Sequence, residues 1–323
     1  MGCGENPRVT TPFQVALENR DLDGVRACAK GDLHVHAGAG SGDRAFLKAR
    51  TGLDIGPVDR VLASMDEMHA WVHSQVGDRF HRLPDRVVGI EATFVQARRD
   101  GVTRLEAGED VWAITLHDGS AVAVWAMLQA ARARYAPEIE WIPQLGLSRH
   151  CLVPALERWL APLLELGVFA TLDLYGDEFA QPIEVFMPLY RRAKAAGLRL
   201  KAHVGEWGTA DDVWRAVELL ELDEVQHGIA AAGSPAAMRF LARAGVRLNV
   251  CPTSNVLLGR VARIEDHPIR QLFDFGVRVT VGTDDALVFG TSLSREFLAL
   301  ADAGVMTAAE LDAIRLEALA GPL

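Results

Sequence analysis

Short apolar runs alternate with amphipathic segments along most of this chain of 323 residues. The runs are rich in Val, Ile and Leu, whereas the segments between them carry apolar residues at i, i+3 and i+4, the period of a helix. Alternating strands and helices predict a parallel sheet, and eight such units predict a closed (β/α)8 barrel of the TIM type. The eight candidate strands lie near residues 31–36, 102–107, 139–147, 167–174, 198–203, 224–229, 246–251 and 277–282. Candidate helices between them include residues 180–196, 209–220, 235–244 and 264–275.

The remaining segments fit one barrel domain with a helical addition. Residues 12–30 have helical character and precede the first strand, so we expect an N-terminal helical extension over 1–29 and a single domain over 30–323. Residues 45–99 are longer than one crossover and predict several helices. A doubly wound open sheet is the alternative architecture. It is disfavoured because no G-x-G-x-x-G follows the first strand.

Composition and charge narrow the class of partner. The net charge is −10 and the Lys and Arg residues are scattered, which argues against a nucleic-acid partner. There is no signal peptide, no apolar stretch of about 18 residues and no myristoylation pattern, since Asn6 stands where Ser or Thr is required. We therefore expect a soluble cytoplasmic protein with a small, uncharged substrate and no membrane partner. The sequence is silent on its oligomeric state.

The cysteines give a second indication of compartment. The chain has four, they are widely spaced, and none forms a C-x-x-C pair. This pattern predicts free thiols in a reducing environment rather than a disulfide scaffold. They are Cys3, Cys28, Cys151 and Cys251.

Two histidines, His34 and His36, stand at the end of the first candidate strand. Residues i and i+2 of an extended strand share a face, so the two imidazoles converge, and a zinc-type ion takes neutral histidine nitrogens. One histidine at a strand end is more often a hydrogen-bonded core residue. Several polar residues at the same rim of a barrel, where strands reach their C-terminal ends, instead predict a metal centre. The others are His203 in AHVGE, His227 in QHG, and Asp284 with Asp285 in GTDD.

From about Lys30 to Ser294, the order and spacing of these motifs resemble the adenosine deaminase family of metal-dependent amidohydrolases. The resemblance implies a (β/α)8 barrel with one zinc ion per chain. It also implies hydrolytic removal of the exocyclic amine of an adenine-type purine nucleoside, with release of ammonia. The matching segments are DLHVH at 32–36, DLYGDE at 173–178, AHVGE at 202–206, QHG at 226–228, VCPTSN at 250–255, HP at 267–268 and TDDALVFG at 283–290.

The resemblance assigns metal ligands residue by residue. Three neutral imidazoles and one carboxylate leave a zinc ion net positive, with an open position for water. Asp32 lies two residues before His34 on the same strand face, and we expect it to help hold the ligand side chains in position. The four ligands implied are His34, His36, His203 and Asp284.

The resemblance also assigns four residues to substrate and proton transfer. Glu206 matches the donor of a proton to a purine ring nitrogen, a role that requires a raised pKa; the alternative is a carboxylate at the start of the next helix. His227 matches the residue that accepts a proton from the attacking water and stabilises the alkoxide; the alternative is a core histidine. Asp285 matches a partner of a ring nitrogen, or caps a helix. Gly176 matches a glycine whose amide meets the substrate ring.

Two departures from the family pattern leave the substrate open. The family usually carries an acidic residue two positions after the second histidine, where it meets the ribose or the far edge of the base, and here that position is Gly38. Ala286 replaces the common proline after the two aspartates. A stripe at helical spacing resembles in position a lid over the base, although such stripes are more often core. It comprises Met65, Met68, His69 and Trp71.

Other functions stay open. A metal-dependent amidohydrolase that cleaves another C–N or ester bond would act without releasing ammonia, and a deaminase of a non-nucleoside heterocycle would share the same site. A non-enzymatic binding barrel would lack a proton donor, so Glu206 and His227 argue against it. Nucleic-acid deaminases of the H-x-E and P-C-x-x-C type are excluded by the absence of that signature. No G-x-S-x-G is present for serine chemistry.

Overall fold

The computed structural model describes residues 10–38 and 40–321, so Cys3 and Asn6 lie outside the described residues. Eight strands form one parallel sheet in which each strand pairs with the next along the chain. This order confirms the (β/α)8 architecture. The strands are β1 (Lys30–Asp32), β2 (Val102–Asp110), β3 (Glu140–Ser148), β4 (Thr171–Tyr175), β5 (Arg199–Val204), β6 (Glu224–His227), β7 (Arg247–Val250) and β8 (Arg278–Val281).

The barrel closes between its first and last strands at the C-terminal rim. Beyond the ends of β1 and β8, Val35 and Asp284 form an isolated parallel bridge. The backbone N–H of Asp284 donates to the carbonyl of His34 at 2.8 Å, and the N–H of His36 donates to the carbonyl of Asp284 at 3.3 Å. The predicted metal ligands His34, His36 and Asp284 therefore lie in the seam, that is, in the contact between the first and last strands.

Helices cover the outside of the sheet. The α-helices are α1 (Pro12–Glu18), α2 (Leu22–Ala27), α3 (Arg44–Thr51), α4 (Met65–Val76), α5 (Leu83–Arg99), α6 (Ala121–Tyr135), α7 (Val153–Glu165), α8 (Met187–Ala195), α9 (Ala210–Leu220), α10 (Pro235–Ala244), α11 (Pro252–Leu257), α12 (Ile269–Asp274), α13 (Ala286–Phe289), α14 (Leu293–Asp302) and α15 (Ala308–Leu319). Short 3-10 turns occupy Arg79–His81, Val111–His117, Ile183–Phe186, Ile229–Gly233 and Ile264–Asp266.

Local chemistry explains where the predicted helices begin and end. In α9, the side chain of Thr209 accepts from the N–H of Asp212, whose own side chain accepts from the N–H of Thr209, which is a capping box. In α10, the Ser234 side chain caps the first turn, and Gly245 ends the helix in the left-handed conformation. Both helices match their predicted ranges.

Three predicted elements differ from the structure. The stretch 264–275 divides into a 3-10 turn and α12 because Pro268 cannot donate a backbone hydrogen bond inside a continuous helix. The stretch 180–196 begins as a 3-10 turn after Pro182, and α8 follows it. Strand β1 ends at Asp32, two residues before His34, because the chain then turns onto the rim.

The N-terminal helices pack against the C-terminal ones. The ring of Phe13 meets that of Phe297 edge to face, with 5.2 Å between centroids, and the hydroxyl of Thr11 donates to Asp312 at 2.8 Å. Phe13 is buried with the main core. The domain boundary at residue 29 stays a prediction.

The described residues bear on two further expectations. Cys28, Cys151 and Cys251 are free thiols. Within 10–38 and 40–321, no single helix has both the length and the apolar character to cross a membrane; one bent pair, Val111–His117 with Ala121–Tyr135, passes on length and composition.

Candidate active site

The predicted metal ligands meet at the C-terminal rim of the barrel. The Nε2 atoms of His34 and His203 are 3.0 Å apart, as are those of His36 and His203. The Oδ1 of Asp284 lies 3.2 Å from the Nε2 of His36 and 3.7 Å from that of His34. These side chains come from the ends of β1, β5 and β8, so the barrel gathers residues that are up to 250 positions apart in the sequence.

Hydrogen bonds on the far side of two imidazoles fix their tautomers. The Nδ1 of His34 lies 2.9 Å from the carbonyl of Asn249, and the Nδ1 of His203 lies 3.2 Å from that of Leu174. A carbonyl only accepts, so each Nδ1 carries the hydrogen and each Nε2 presents a lone pair. The two lone pairs then face each other across 3.0 Å.

This arrangement fits a bound cation. Two facing lone pairs repel unless a positive group lies between them, and nitrogens bound to one zinc ion at about 2.0–2.1 Å lie roughly 3 Å apart. Burial lowers the pKa of His36, yet the carboxylates of Asp285 and Asp284 outweigh it and raise that pKa to about 10, so the local field favours positive charge. The donors to such an ion would be three imidazoles and a carboxylate.

Asp284 is held in an unusual backbone conformation. Its φ is +57°, a left-handed value that non-glycine residues rarely adopt. The hydroxyl of Ser254 donates to its Oδ2 at 2.6 Å, and that of Ser41 donates to its carbonyl at 2.6 Å. Asp32 supports the same seam through the backbone, because it accepts from the N–H and the hydroxyl of Thr283 at 3.2 and 2.7 Å.

Glu206 lies in the loop between β5 and α9, outside the helix that the alternative interpretation required. Burial, followed by the carboxylates of Asp284 and Glu178, raises its pKa well above the usual range. Its Oε1 is buried, lies 3.5 Å from the Nε2 of His227, and has no hydrogen-bond partner among the described residues. A buried, protonated carboxyl with a free oxygen is suited to donate a proton to a ligand.

The loop that carries Glu206 is fixed by Glu178, a residue that sequence reasoning missed. Its carboxylate accepts three successive backbone N–H groups, those of residues 205, 206 and 207, at 2.8, 2.8 and 2.7 Å. Arg149 donates to the carbonyls of Glu178 and His203 at 2.7 and 3.1 Å. The signal was available, since Glu178 ends the matched motif DLYGDE.

A chain of hydrogen bonds sets the tautomer of His227. The N–H of Ile269 donates to the Nδ1 of His267 at 3.1 Å, so the hydrogen of that neutral imidazole is on Nε2, 3.1 Å from the Oδ1 of Asn255. The amide nitrogen of Asn255 then donates to the Nδ1 of His227 at 3.2 Å. Burial lowers the pKa values of His267 and His227 to about 3. Neutral His227 therefore carries its hydrogen on Nε2, which faces the site.

His227 also lies close enough to be counted among candidate ligands. Ligand atoms of His34, His203, His227 and Asp284 lie within 4.8 Å of one another, and those of His36, Asp284 and Asp285 form an overlapping group. The hydrogen on the Nε2 of His227 makes that nitrogen a donor rather than a ligand. His36 is thus a better third imidazole ligand, beside His34 and His203, than His227.

A cavity of about 430 Å³ opens beside His36 and Asp285. One face of α4 covers it with side chains that include Met65, Met68 and His69, as the lid hypothesis requires, whereas Trp71 packs into adjacent apolar clusters. The movement of α4 stays a prediction.

Two predicted substrate contacts lie at or near this cavity. The carboxyl of Asp285 lines it and makes no capping hydrogen bond to α13, and burial raises its pKa to about 7. Gly176 has a φ of +97° and follows Tyr175, which lines the cavity, but Gly176 itself lies against His150. Its role as a substrate contact stays a prediction.

The opposite wall of the cavity carries an ionic cluster absent from the sequence-based hypothesis. Arg86 on α5 donates to both oxygens of Glu109 and, at 3.2 Å, to Asp110. The hydroxyl of Tyr175 and the indole nitrogen of Trp112 also donate to Asp110. Nothing in the sequence distinguished Arg86, Glu109 and Asp110 from surface charges, because their partnership joins α5 to β2.

Comparison with known proteins places the chain in a family. The adenosine deaminase family model matches residues 152–322. A putative adenosine/adenine deaminase of Treponema pallidum is 34% identical over 295 residues, which are 91% of this chain and 98% of that protein.

Solved structures share the fold. An adenine deaminase from Arthrobacter aurescens superposes with a TM-score of 0.77 at 24% identity, covering 91% of this chain and 92% of the other. An amidohydrolase from Burkholderia ambifaria with bound Zn superposes with a TM-score of 0.75 at 20% identity, covering 98% and 89%.

Proposed function

This chain belongs to the adenosine deaminase family, and from that premise we propose that it deaminates an adenine-type purine nucleoside. The family relation makes it a hydrolytic enzyme that acts on the C–N bond of a purine. The nucleoside, the zinc ion and the individual residue roles are our proposal. One observation supports it above the others. A buried Glu206, with an oxygen that no described residue hydrogen-bonds, lies beside a convergent set of imidazole nitrogens.

We assign the metal to His34, His36, His203 and Asp284. Three neutral nitrogens and one carboxylate are a donor set that suits zinc in a catalytic site. When bound, a zinc ion would lower the pKa of a water at its open position toward about 7 and so make hydroxide available. The carbonyls of Asn249 and Leu174 hold two of the imidazoles in the tautomer that this binding requires.

Different side chains around the proposed ion carry out the separate steps of proton transfer and substrate binding. Addition of water to the amine-bearing carbon needs a proton on the adjacent ring nitrogen, and the carboxyl of Glu206 supplies it. The proton of the hydroxyl formed on the ring carbon then passes to the amine, the C–N bond breaks, ammonia leaves and the ring keeps the oxygen as a carbonyl. Solvent takes the proton that the water released on becoming hydroxide and returns one to the carboxylate of Glu206. The carboxyl of Asp285 hydrogen-bonds a ring nitrogen on the imidazole side, and the backbone of Gly176 meets the ring.

His227 acts as a donor in this scheme. Its Nε2–H faces the site and stabilises the oxygen that develops on the ring carbon. The resemblance also predicts that His227 accepts a proton from the attacking water, and that step requires a lone pair on Nε2. The hydrogen bond from Asn255 therefore supports one part of the predicted role of His227, the stabilisation of the alkoxide.

An ammonia-release assay tests the proposal. The purified, zinc-loaded protein should release ammonia from adenosine or 2′-deoxyadenosine, lose this activity on chelation and regain it with zinc. Glu206→Gln should retain stoichiometric zinc while kcat falls by about 10²–10⁴-fold. Glu218→Gln, on the outer helix α9, is the matched control and should leave kcat unchanged. Hydrolysis of another C–N or ester bond without ammonia would instead favour the amidohydrolase alternative.

A further inference from the structure

The position that lacks an acidic side chain faces an acidic cluster that comes from another strand. Gly38 has a φ of +86°, and a Cβ built on it would lie 3.7 Å from the Cζ of Arg86. The guanidinium of Arg86 is bound by Glu109 and Asp110, which end strand β2. Carboxylates from β2 therefore reach the part of the cavity next to residue 38.

Asp110 is the member of this cluster that a ligand can reach. Its side chain is 23% exposed, whereas that of Glu109 is 1% exposed. Three donors orient it: the hydroxyl of Tyr175, the indole N–H of Trp112 at 2.8 Å, and Arg86 at 3.2 Å. A carboxylate offers about four acceptor positions, so these three donors leave one, and Asp110 lines the cavity.

Tyr175 sets the separation between Asp110 and the metal ligands. Its ring centroid lies 5.3 Å from that of His36, and its hydroxyl donates to Asp110. The reacting carbon of a purine must lie near His36, so Asp110 lies farther along the cavity by about the length of a tyrosine ring. At that distance the carboxylate of Asp110 would contact the substituent that the purine carries, not the amine that reacts.

The charges of the lining residues discriminate between substituents. Three described lining residues are carboxylic acids, Glu109, Asp110 and Asp285, and Arg86 is the single arginine or lysine among them. Arg86 is already engaged by two carboxylates. A phosphate next to Asp110 would be repelled by these acids, whereas a hydroxyl would find an acceptor. Four histidines also line the cavity: His36 in the ligand cluster, His69 and His73 on α4, and His81, whose ring lies 5.3 Å from that of Trp112. Because His81 lies beside the cluster, the comparison of AMP with adenosine also tests its effect.

We propose that Asp110 accepts a hydroxyl of the substrate's sugar, in place of the acidic residue that position 38 lacks. The cluster of Arg86, Glu109, Asp110 and Tyr175 then selects an uncharged, hydroxylated nucleoside over both the free base and the nucleoside phosphate. This inference rests on the proposed function.

The wild-type enzyme provides the first test, through kcat/KM for adenosine, adenine, AMP and the 2′-, 3′- and 5′-deoxy analogues of adenosine. We expect adenosine to exceed adenine and AMP, and removal of one particular hydroxyl to lower kcat/KM by about 10- to 100-fold, the effect of losing a hydrogen bond to a charged group. AMP turnover equal to that of adenosine, or indifference to every hydroxyl, would overturn the inference while leaving the deaminase assignment standing. No ammonia from any aminopurine would overturn the proposed function, and this inference with it.

Asp110→Asn provides the second test. The amide keeps the size of the side chain but removes its charge, so the ratio of kcat/KM for adenosine to that for adenine should fall by about 10-fold or more, chiefly through KM. The variant should also lose its sensitivity to the critical hydroxyl, as in a double-mutant cycle. Asp118→Asn, the same change at an exposed residue outside the cavity, should leave the ratio unchanged. An equal loss for all substrates would indicate a purely structural role, and if Asp110→Asn does not fold, the deoxy series decides alone.

Discussion

Two residues of the site have backbone conformations that cost energy. His227 and Asp284 have φ values of +61° and +57°, in a region that costs a non-glycine residue about 1–2 kcal/mol. The bonds from Ser254 and Ser41 to Asp284, and from Asn255 to His227, hold them there. These left-handed positions lie at the rim, where both side chains face the candidate site.

The tautomer of His227 depends on a neutral amide at residue 255. In Asn255→Asp, a carboxylate would accept from both His267 and His227, so His227 would move its hydrogen to Nδ1 and present a lone pair to the site. We expect kcat to fall about 10–100-fold with little change in KM. The pH profile of kcat and the NMR signals of the imidazole nitrogens measure the effect.

Asp266→Asn is a suitable control, because it makes the reverse exchange at an exposed residue that pairs with Arg263. It should leave both readouts unchanged. A variant Asn255→Asp with normal kcat, or one in which His227 keeps its Nε2 hydrogen, would show that the chain of hydrogen bonds does not control the tautomer.

The residues that we assign to the metal or the substrate were the easiest to predict from sequence. His203 lies near the end of the buried strand β5, His34 and Asp284 follow β1 and β8, and a barrel brings the ends of its strands to one rim. Glu178, Asn255 and His267 act through other residues, so only their presence in matched motifs marked them. The cluster around Arg86 could not be predicted, since no local pattern links a residue of α5 to two of β2.

At the level of single elements, the loop after β1 depends on a glycine close to Asp285. A Cβ on Gly40 would lie 1.7 Å from the Oδ1 of Asp285 and 2.9 Å from the carbonyl of His36. We expect Gly40→Ala to displace the carboxyl of Asp285 and lower kcat/KM by about 10-fold or more, the scale of losing a positioned substrate contact. Steady-state kinetics with adenosine measures this change.

Gly56→Ala is the matched control for this loop. A Cβ on Gly56 would have no heavy atom within 4 Å, so the substitution should leave kcat/KM unchanged. If Gly40→Ala were as active as Gly56→Ala, Asp285 would not be a substrate contact.

The elements themselves were predicted to different degrees. Strands β2 to β8 and helices α9 and α10 were predictable because a buried parallel strand reads as an apolar run and a capped amphipathic helix has clear ends. The metal-ligand segment after β1 was predicted as strand but leaves the sheet, because pairing with β8 requires a turn onto the rim. Such a departure depends on tertiary closure, which a local pattern does not contain.

At the level of the whole molecule, an ionic layer fills the barrel below the proposed metal site. Lys201 lies 2.8 Å from Glu106 and 3.1 Å from Glu224, all fully buried or nearly so, and Arg247 lies 2.6 Å from Glu224. The amine of Lys201 also donates to the carbonyl of Leu33 at 3.0 Å, next to the ligand His34. This layer links the barrel interior to the rim.

Removing the charge of Glu224 should destabilise the fold strongly. Glu224→Gln leaves Lys201 and Arg247 buried with less compensation, which costs about 3–5 kcal/mol. Chemical denaturation measures the loss. Glu221→Gln, which breaks an exposed pair with Lys194, should show no measurable loss.

The same substitution should alter the response to acid. Burial opposes ionisation of Glu224, but Lys201, Arg247 and Arg199 outweigh it and hold its pKa well below the usual 4.5. Because the folded-state pKa is the lower one, Glu224 stabilises the fold above pH 4.5 and this contribution is lost as the pH falls further. Below that pH, the difference in stability between wild type and Glu224→Gln should shrink; a constant difference would contradict the assignment.

The proposed metal should stabilise the barrel as well as catalyse. The proposed ligands come from the ends of β1, β5 and β8. Among the described residues, one bridge with two backbone bonds and the bonds from Thr283 to Asp32 join the first and last strands at this rim. We expect zinc to raise the unfolding temperature as its concentration exceeds the dissociation constant, and chelation to lower it. Chelation should also speed hydrogen exchange at the amides of His36 and Asp284, whereas the amide of Leu105, within the β1–β2–β3 ladder, should exchange at the same rate. Equal protection of the seam with and without zinc would mean that closure of the barrel is complete before any ion binds, and that the ligand cluster serves the chemistry alone.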